Sequence, residues 1–276
     1  MNKGCHGNLI IIGGAEDKEG KKEILKYVAD ESLRKKGDLT IATVASEYPD
    51  LAWDKYKRVF SELGIKRINI LDISKRNDSY NPSSIEIIKN SSVVFFTGGD
   101  QLRITSLIGG TPVYEELSKA FTNGCTLAGT SAGASVMSST MIVKGDDEES
   151  PSKCTLKMAP GFGFIKNVII DQHFAQRGRI GRLLAGIAQN PEIIGIGIDE
   201  DTAIVVNSNT IKVIGTGAVY FLDGEQITFS NVSEKYQEEI LSMFNIKMHV
   251  LTQGNWFHLQ KRTPFEEENI KNENNQ

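Results

Sequence analysis

The sequence has few cysteines and histidines and no block of basic residues. Its 276 residues include 4 histidines and 3 cysteines (Cys5, Cys125 and Cys154), and the cysteines are odd in number and lack the spacing of a metal site. We interpret them as free thiols in a reducing compartment, which makes the cytoplasm the expected location. The formal net charge of −4, without a basic block, argues against nucleic acid as a partner.

Long hydrophobic runs are also missing. The run Leu9–Ile12 is the longest near the start of the chain, and it is too short for the core of a signal peptide. No stretch approaches the roughly 20 residues of a membrane-spanning helix. Since 39% of the residues are hydrophobic and 24% are charged, we expect a globular protein that does not enter a membrane.

In the first half of the chain, short apolar runs alternate with segments of helical periodicity. The predicted strands cover residues 8–12, 39–44, 67–71, 92–96 and 126–128. The predicted helices cover residues 21–35, 51–63, 83–89, 102–107 and 113–121. This alternation predicts an α/β fold with a mostly parallel sheet and helices on both faces.

The second half is richer in predicted strands, which we place at residues 141–144, 168–170, 194–198, 203–206, 248–251 and 256–260. Residues 210–214 and 218–222 are predicted to form a β-hairpin, and helices are predicted at 182–189 and 236–244. The acidic segment 146–149 is interpreted as a solvated loop, or alternatively as a segment whose negative charge attracts a cationic substrate. We predict a single domain over residues 1–263 and a frayed polar tail over 264–276.

The segment Gly129-Thr130-Ser131-Ala132-Gly133 has the Gly-x-Ser-x-Gly pattern of a nucleophile elbow. Ser131 would lie on a tight strand-to-helix turn in which the flanking glycines avoid steric clashes. The N–H of Ala132, at the helix N-terminus, would supply half of an oxyanion hole. The alternative interpretation is a Gly/Ser-rich turn that merely ends a strand.

A serine nucleophile needs a base within hydrogen-bond reach, and the chain offers four histidines. His173 follows the predicted strand 168–170 and lies at the same sheet edge as Ser131, so we favour it as the base. His6, His249 and His258 are interpreted as structural or exposed. A neighbouring acid is expected to raise the pKa of the histidine somewhat.

The acid that orients the histidine is not fixed by the sequence pattern. Asp199, Glu200 and Asp201 follow the predicted strand 194–198 at its carboxyl end. Because alternate side chains of an extended segment face opposite ways, either Glu200 or the pair Asp199 and Asp201 faces inward. The resulting order of serine, histidine and acid differs from the order in α/β-hydrolases, so we expect a different fold.

A second oxyanion donor is predicted after the strand 92–96. There, Gly98-Gly99 allows a substrate to approach the backbone closely, and the Gly99 N–H is the candidate donor. Asp100 would cap the following helix, and the two roles are compatible.

Four segments together resemble the cyanophycinases. They are Phe-Thr-Gly-Gly-Asp-Gln (96–101), Gly-Thr-Ser-Ala-Gly-Ala (129–134), Asp-Gln-His-Phe (171–174) with three following arginines, and Gly-Ile-Asp-Glu-Asp-Thr-Ala (197–203). The resemblance implies a flavodoxin-like fold similar to class I glutamine amidotransferases. It also implies a serine exopeptidase that hydrolyses cyanophycin, a poly-aspartate chain carrying arginine on each β-carboxyl, to β-Asp-Arg dipeptides. No cofactor and no metal are expected, and a homodimer is implied.

The same resemblance assigns roles to individual residues. It implies that Ser131 is the nucleophile, His173 the base and Glu200 the acid, with an oxyanion hole formed by Gly99 and Ala132. The substrate site implied by the resemblance is lined by Gln101, Asp171, Gln172, Arg177, Arg179 and Arg182.

The three arginines suit a substrate with free carboxylates. The i, i+3 spacing puts Arg179 and Arg182 on one helix face, with Arg177 in the preceding loop, and Asp171 would bind a substrate guanidinium. The alternative is a solvated helix start. Two other functions compete with cyanophycin hydrolysis: an aspartyl dipeptidase acting on small α-Asp peptides, and a non-catalytic binding protein with an amidotransferase-like fold.

Overall fold

The computed structural model describes residues 6–145, 150–152, 156–234 and 240–266. The acidic segment 146–149, Cys5, Cys154 and the first four residues of the predicted helix 236–244 lie outside the described residues. Within the described ranges, no helix has both the length and the apolar character needed to cross a membrane.

The described chain contains seventeen strands and seven α-helices. The strands are β1 (Leu9–Ile12), β2 (Asp38–Ala42), β3 (Ile68–Leu71), β4 (Ser91–Phe96), β5 (Thr126–Thr130), β6 (Thr140–Lys144), β7 (Lys157–Pro160), β8 (Val168–Gln172), β9 (Ile194–Ile198), β10 (Thr202–Asn207), β11 (Thr210–Gly215), β12 (Val219–Asp223), β13 (Phe229–Ser230), β14 (Met243–Phe244), β15 (Lys247–Leu251), β16 (Trp256–His258) and β17 (Thr263–Phe265). The helices are α1 (Glu23–Lys35), α2 (Pro49–Glu62), α3 (Pro82–Lys89), α4 (Gln101–Ile108), α5 (Pro112–Thr122), α6 (Ala132–Ser135) and α7 (Ile180–Gln189).

The largest sheet has nine strands in the order β17-β16-β11-β10-β1-β5-β4-β2-β3. The five strands from β1 to β3 in this order are parallel, and the other four pair antiparallel beside β1. Strands β2 to β5 lie side by side in the order β3-β2-β4-β5, which matches the first four strands of a flavodoxin-like sheet. Strand β1, although it comes first in the chain, occupies the place of the fifth strand. The predicted α/β fold, with a large, mainly parallel sheet flanked by helices, is confirmed.

A second sheet, with the order β15-β12-β9-β8, packs against the first. The core between them contains Ile11 and Ile204 of the large sheet together with Ile170, Ile196 and Phe221 of the small one. Helices α1 and α2 cover the other face of the large sheet, and α7 covers the outer face of the small sheet. The carboxyl ends of β1, β5, β8 and β9 therefore converge on one edge, which is where ligands bind in open α/β sheets.

Two predictions for the second half are wrong. Strands β11 and β12 do not form a hairpin, because β11 pairs with β10 and β16, whereas β12 pairs with β9 and β15. The turn between them is held by the acidic loop after β9, residues 199–201. Thr216 N–H donates to the Asp201 carbonyl (2.9 Å), and Ala218 N–H donates to Asp199 Oδ2 (3.1 Å). The described end of the predicted helix 236–244 contains strand β14, which pairs with β13.

The end of the described chain is more ordered than the sequence composition indicated. Strand β17 includes Pro264 and Phe265 and pairs with β16. Ordered structure therefore extends past the predicted start of the tail, and residues 267–276 lie outside the described part of the chain.

Candidate active site

Ser131 lies on a strained turn between β5 and α6. Its backbone has φ 53° and ψ −112°, a combination that side-chain-bearing residues rarely adopt. Two glycines make room for this turn: a Cβ on Gly133 would lie 2.8 Å from Phe96 Cβ, and a Cβ on Gly129 would lie 3.0 Å from Met137 Cε. The conformation is typical of a nucleophile elbow, which lifts the hydroxyl above the sheet edge.

His173 stands beside this serine at the end of β8. Its Nε2 lies 3.0 Å from Ser131 Oγ, and its ring is largely buried, with 9% of the residue exposed. The backbone of His173 also has a positive φ of 50°, and its N–H donates to the carbonyl of Gly13 at 2.8 Å. The strand end and this bond together aim the imidazole at the serine.

Glu200 completes a continuous hydrogen-bonded chain. Its Oε1 lies 2.6 Å from His173 Nδ1. A carboxylate in this place accepts the Nδ1 proton, so Nε2 is left to accept the proton of Ser131. The backbone N–H of Glu200 donates to Gln176 Oε1 at 3.0 Å, which holds the acidic loop against the segment after β8.

The two aspartates beside Glu200 have other partners. The carboxylate of Asp199 accepts the N–H groups of Ala175 (2.9 Å) and Ala218 (3.1 Å). The carboxylate of Asp201 accepts the N–H of Asp17 at 2.8 Å and a threonine hydroxyl at 3.0 Å. Of the alternatives that strand alternation left open, Glu200 is therefore the acid that faces the histidine.

Burial lowers the pKa of His173 below its ordinary value of 6.5. The hydrogen bond that Nδ1 donates to Glu200 acts in the opposite direction but is outweighed, and the positive charges of Arg177 and Arg179 lower the pKa further. The neighbouring acid acts to raise this pKa, as expected, but the net shift is downward because the expectation did not include the burial of the ring. The imidazole is neutral, and able to accept a proton, at neutral pH.

Gly14 is a residue of the site that the sequence analysis did not identify. It has φ +105°, and a Cβ placed on it would lie 2.5 Å from His173 Nε2 and 3.0 Å from Nδ1. The imidazole therefore packs directly on the backbone at this position. The available signal was the glycine pair Gly13-Gly14 directly after β1.

The loop after β4 borders the serine from the other side. A Cβ on Gly98 would lie 3.3 Å from Ser131 Cβ, and Gly99 has φ +142° and no room for a Cβ, which would lie 2.0 Å from the Ala45 carbonyl oxygen. Asp100 caps α4 by accepting the N–H of Leu102 at 2.8 Å. The predicted donor Gly99 and the contacting Gly98 thus share one short loop, which is the glycine pair that the sequence analysis singled out.

Asp171, Arg179 and Arg182 form a buried charged cluster. They are 1%, 5% and 8% exposed, respectively. Arg182 donates to both carboxylate oxygens of Asp171, through Nε at 2.6 Å and through Nη2. Arg179 Nη1 lies 3.6 Å from Asp171 Oδ1 and donates to the carbonyl (2.6 Å) and Oε1 (2.8 Å) of Gln172. The two arginines at i and i+3 therefore share a carboxylate of the protein itself.

Arg177 and Gln101 differ from this cluster. Arg177 is exposed, and its guanidinium has no hydrogen-bond partner among the described residues, although it is near enough to His173 to lower the pKa of the ring. Gln101 Nε2 donates to the carbonyl of Ile142 at 2.9 Å, which ties the start of α4 to strand β6.

The other histidines make different contacts. The rings of His6 and His249 lie 5.7 Å from Phe121 and 6.0 Å from Phe257, respectively. His258 Nδ1 accepts a backbone N–H at 3.2 Å. The remaining described cysteine, Cys125, is buried, and burial raises the pKa of its thiol to about 12, so it is not a nucleophile at neutral pH.

Comparison with known proteins gives one family. The model described as Peptidase family S51 matches residues 9–214. A cyanophycinase from Trichormus variabilis is 40% identical over 257 residues, which are 92% of this chain and 86% of that protein. A cyanophycinase from Geminocystis herdmanii is 37% identical over 266 residues, covering 96% of this chain and 98% of that protein. Among solved structures, a peptidase from an acI-B1 Actinobacterium has a TM-score of 0.68 at 25% sequence identity, covering 93% of this chain and 98% of that one.

Proposed function

This chain belongs to peptidase family S51, and from that premise we propose that it is a serine exopeptidase that hydrolyses cyanophycin to β-Asp-Arg dipeptides. The substrate comes from the relatives, which are cyanophycinases at 40% and 37% identity over most of the chain. The observation that carries the proposal is the hydrogen-bonded chain from Ser131 Oγ through both ring nitrogens of His173 to Glu200.

The proposed reaction begins with attack of Ser131 Oγ on the scissile carbonyl carbon. As the new C–O bond forms, His173 Nε2 takes the hydroxyl proton, and Glu200 stabilises the resulting imidazolium. The imidazolium then gives the proton to the leaving amine as the peptide C–N bond breaks, which leaves an acyl-enzyme on Ser131. Water, deprotonated by the same imidazole, hydrolyses the acyl-enzyme and regenerates the serine.

The oxyanion of the tetrahedral intermediate is proposed to lie between the N–H groups of Gly99 and Ala132. Ala132 is the first residue of α6, where N–H groups have no partner within the helix. The position of Gly98 against the serine supports close approach of the loop after β4 to the reacting carbonyl. Backbone donors aimed in advance at the developing charge are among the larger contributions to such catalysis.

Substrate recognition is proposed to involve Gln101, Asp171, Gln172, Arg177, Arg179 and Arg182. Within this set, Arg177 is the exposed cation beside the histidine, and we assign it to direct contact with a substrate carboxylate. The buried pairing of Arg182 with Asp171 supports a different contribution, in which the aspartate fixes the orientation of the arginines.

The experiment is incubation of the purified protein with purified cyanophycin, followed by mass spectrometry of the products. We expect β-Asp-Arg dipeptides from the wild type and none from Ser131→Ala. Release of products from small α-Asp dipeptides, with no attack on the polymer, would instead assign the chain as an aspartyl dipeptidase. Failure to act on either substrate, together with binding of the polymer, would support the non-catalytic alternative.

We further propose that the chain forms one catalytic domain that works as a homodimer in the cytoplasm. The family resemblance supports the dimer, and the cysteine usage supports the compartment. Light scattering after size-exclusion chromatography measures the oligomeric state, and a monomeric mass at assay concentration contradicts the dimer.

A further inference from the structure

One loop touches all three segments that carry the catalytic side chains. This β1 loop, residues 12–18, follows the first strand. The carbonyls of residues 12–14 accept, in order, the N–H groups of Ser131 (3.1 Å), His173 (2.8 Å) and Asp201 (2.9 Å), which directly follows Glu200. The loop is therefore placed to set the positions of the nucleophile, the base and the acid relative to one another.

The loop also contains a buried carboxylate that the proposed reaction does not use. The Glu16 side chain is only 1% exposed. Its Oε2 accepts the Thr130 hydroxyl at 2.6 Å, and its Oε1 accepts the Tyr56 hydroxyl at 2.5 Å and contacts Lys18 Nζ at 2.9 Å. Burial and the nearby Glu16 raise the pKa of Tyr56 well above 10, so this hydroxyl keeps its proton and remains a donor.

Thr130 connects this carboxylate to the nucleophile. It is the last residue of β5, directly before Ser131, and is 3% exposed. A residue held at a positive φ keeps that conformation only when its surroundings determine it strongly. The Thr130 side chain and the Ser131 N–H are both bonded to the β1 loop, so the start of the elbow is fixed at two consecutive residues.

We propose that Glu16 is a positioning residue which, through Thr130, fixes Ser131 at hydrogen-bond distance from His173. The proposal rests on the proposed function, since it concerns the alignment of that same nucleophile and base. Glu16 touches neither reacting atom; it acts by joining the nucleophile elbow to the loop on which the imidazole packs. Tyr56 and Lys18 hold the carboxylate in the orientation that this contact needs.

The direct substitution Glu16→Ala is a poor test, because it leaves the ammonium group of Lys18 without its carboxylate in a largely buried place. Thr130→Val removes the hydroxyl and keeps the shape of the side chain, whereas Thr130→Ser keeps the hydroxyl. Thr126→Val is a matched control. Thr126 lies four residues earlier in β5 and donates to another carboxylate, Glu31 Oε2, at 2.9 Å.

The measurements are the rate of Ser131 labelling by a small fluorophosphonate, kcat and KM on cyanophycin, and Tm. We expect Thr130→Val to lower both the labelling rate and kcat by roughly 10- to 10²-fold, because a small misplacement of a catalytic group is costly. KM should stay near the wild-type value. Thr126→Val should lower Tm to a similar extent and leave labelling unchanged, and Thr130→Ser should restore most of the labelling rate.

Equal labelling rates for folded Thr130→Val and Thr126→Val overturn the proposal, as does a failure of Thr130→Ser to recover. A double-mutant cycle with Glu16→Gln adds a second check. If Glu16 acts through Thr130, Thr130→Val costs much less in the Glu16→Gln background than in the wild type; additive losses contradict the mechanism. Absence of labelling in the wild type refutes the proposed serine chemistry itself, which separates that failure from failure of the positioning role.

Discussion

The contact between Gly14 and the imidazole of His173, the proposed base, leads to a prediction for Gly14→Ala. A Cβ there would lie 2.3 Å from His173 Cε1 and 2.5 Å from Nε2, whereas ordinary van der Waals contact begins at 3.4 Å. Relief of the overlap with Cε1 requires the ring to retreat by about 1.1 Å, and a misplacement of about 1 Å in a catalytic group costs on the order of 10²-fold in rate. We therefore expect kcat to fall by about 10²-fold, with the bond between Ser131 and His173 lengthened or lost.

The new methyl group also forces alanine into a positive φ, which costs about 1–3 kcal/mol of stability. Gly64→Ala separates this backbone effect from the contact with the ring. Gly64 has φ +90°, but a Cβ on it would meet nothing within 4 Å. Both variants should unfold at lower urea concentrations than the wild type, and only Gly14→Ala should lose activity.

The assays are kcat on cyanophycin and fluorophosphonate labelling, performed on variants whose circular dichroism matches that of the wild type. Retention of more than a third of wild-type kcat by folded Gly14→Ala would falsify the reasoning. A comparable loss of kcat in Gly64→Ala would also count against it, since the effect would then follow from backbone strain alone.

Four further predictions concern the residues of the site. Ser131→Ala is expected to keep the fold and lose on the order of 10⁴- to 10⁶-fold in kcat, and a residual rate above a tenth of wild type contradicts the role of the nucleophile. The acid limb of the kcat/KM profile is expected below pH 6.5, because burial lowers the pKa of His173 and only the neutral ring accepts the serine proton. Arg177→Ala removes a positive charge that lowers this pKa, so the limb should move to higher pH; an unmoved limb refutes the coupling. Arg182→Ala takes the bidentate partner from the buried Asp171 and should lower the free energy of unfolding by about 3–5 kcal/mol in a urea titration, whereas the exposed Arg177→Ala should not change it.

The parallel half of the fold could be predicted because its signals are local. Its five strands are apolar runs separated by helical periodicity, so each element is defined by adjacent residues. The pairing of β11 and β12 depends instead on distant residues. Carboxylate and carbonyl groups of the acidic loop after β9 hold the turn between these two strands, and this contact directs them into different sheets.

The site shows the same division between local and distant signals. The elbow pattern located Ser131, and position after a predicted strand located His173. Strand alternation could not show which of three consecutive acids faces the histidine. That depends on the distant backbone N–H groups that donate hydrogen bonds to the carboxylates of Asp199 and Asp201. The direction of the shift in the His173 pKa could not be predicted, since the sequence shows the neighbouring acid but not the burial of the ring.

The buried cluster around Asp171 was beyond the reach of sequence patterns for a similar reason. The i, i+3 spacing correctly puts Arg179 and Arg182 on one helix face, but it does not say what that face meets. Whether a guanidinium contacts a ligand or a carboxylate eleven residues earlier in the chain is decided by the packing of α7 against β8.

The three side chains of the proposed catalytic triad come from two separate sheets. Ser131 follows a strand of the nine-stranded sheet, whereas His173 and Glu200 follow strands of the four-stranded sheet. The 3.0 Å bond between serine and histidine therefore bridges two backbone hydrogen-bond ladders. Sliding of one sheet past the other would break it while leaving both ladders intact. Enzymatic activity is thus a direct reporter of sheet docking, and in a refolding experiment it should return with the docking step and not with the earlier gain of secondary structure.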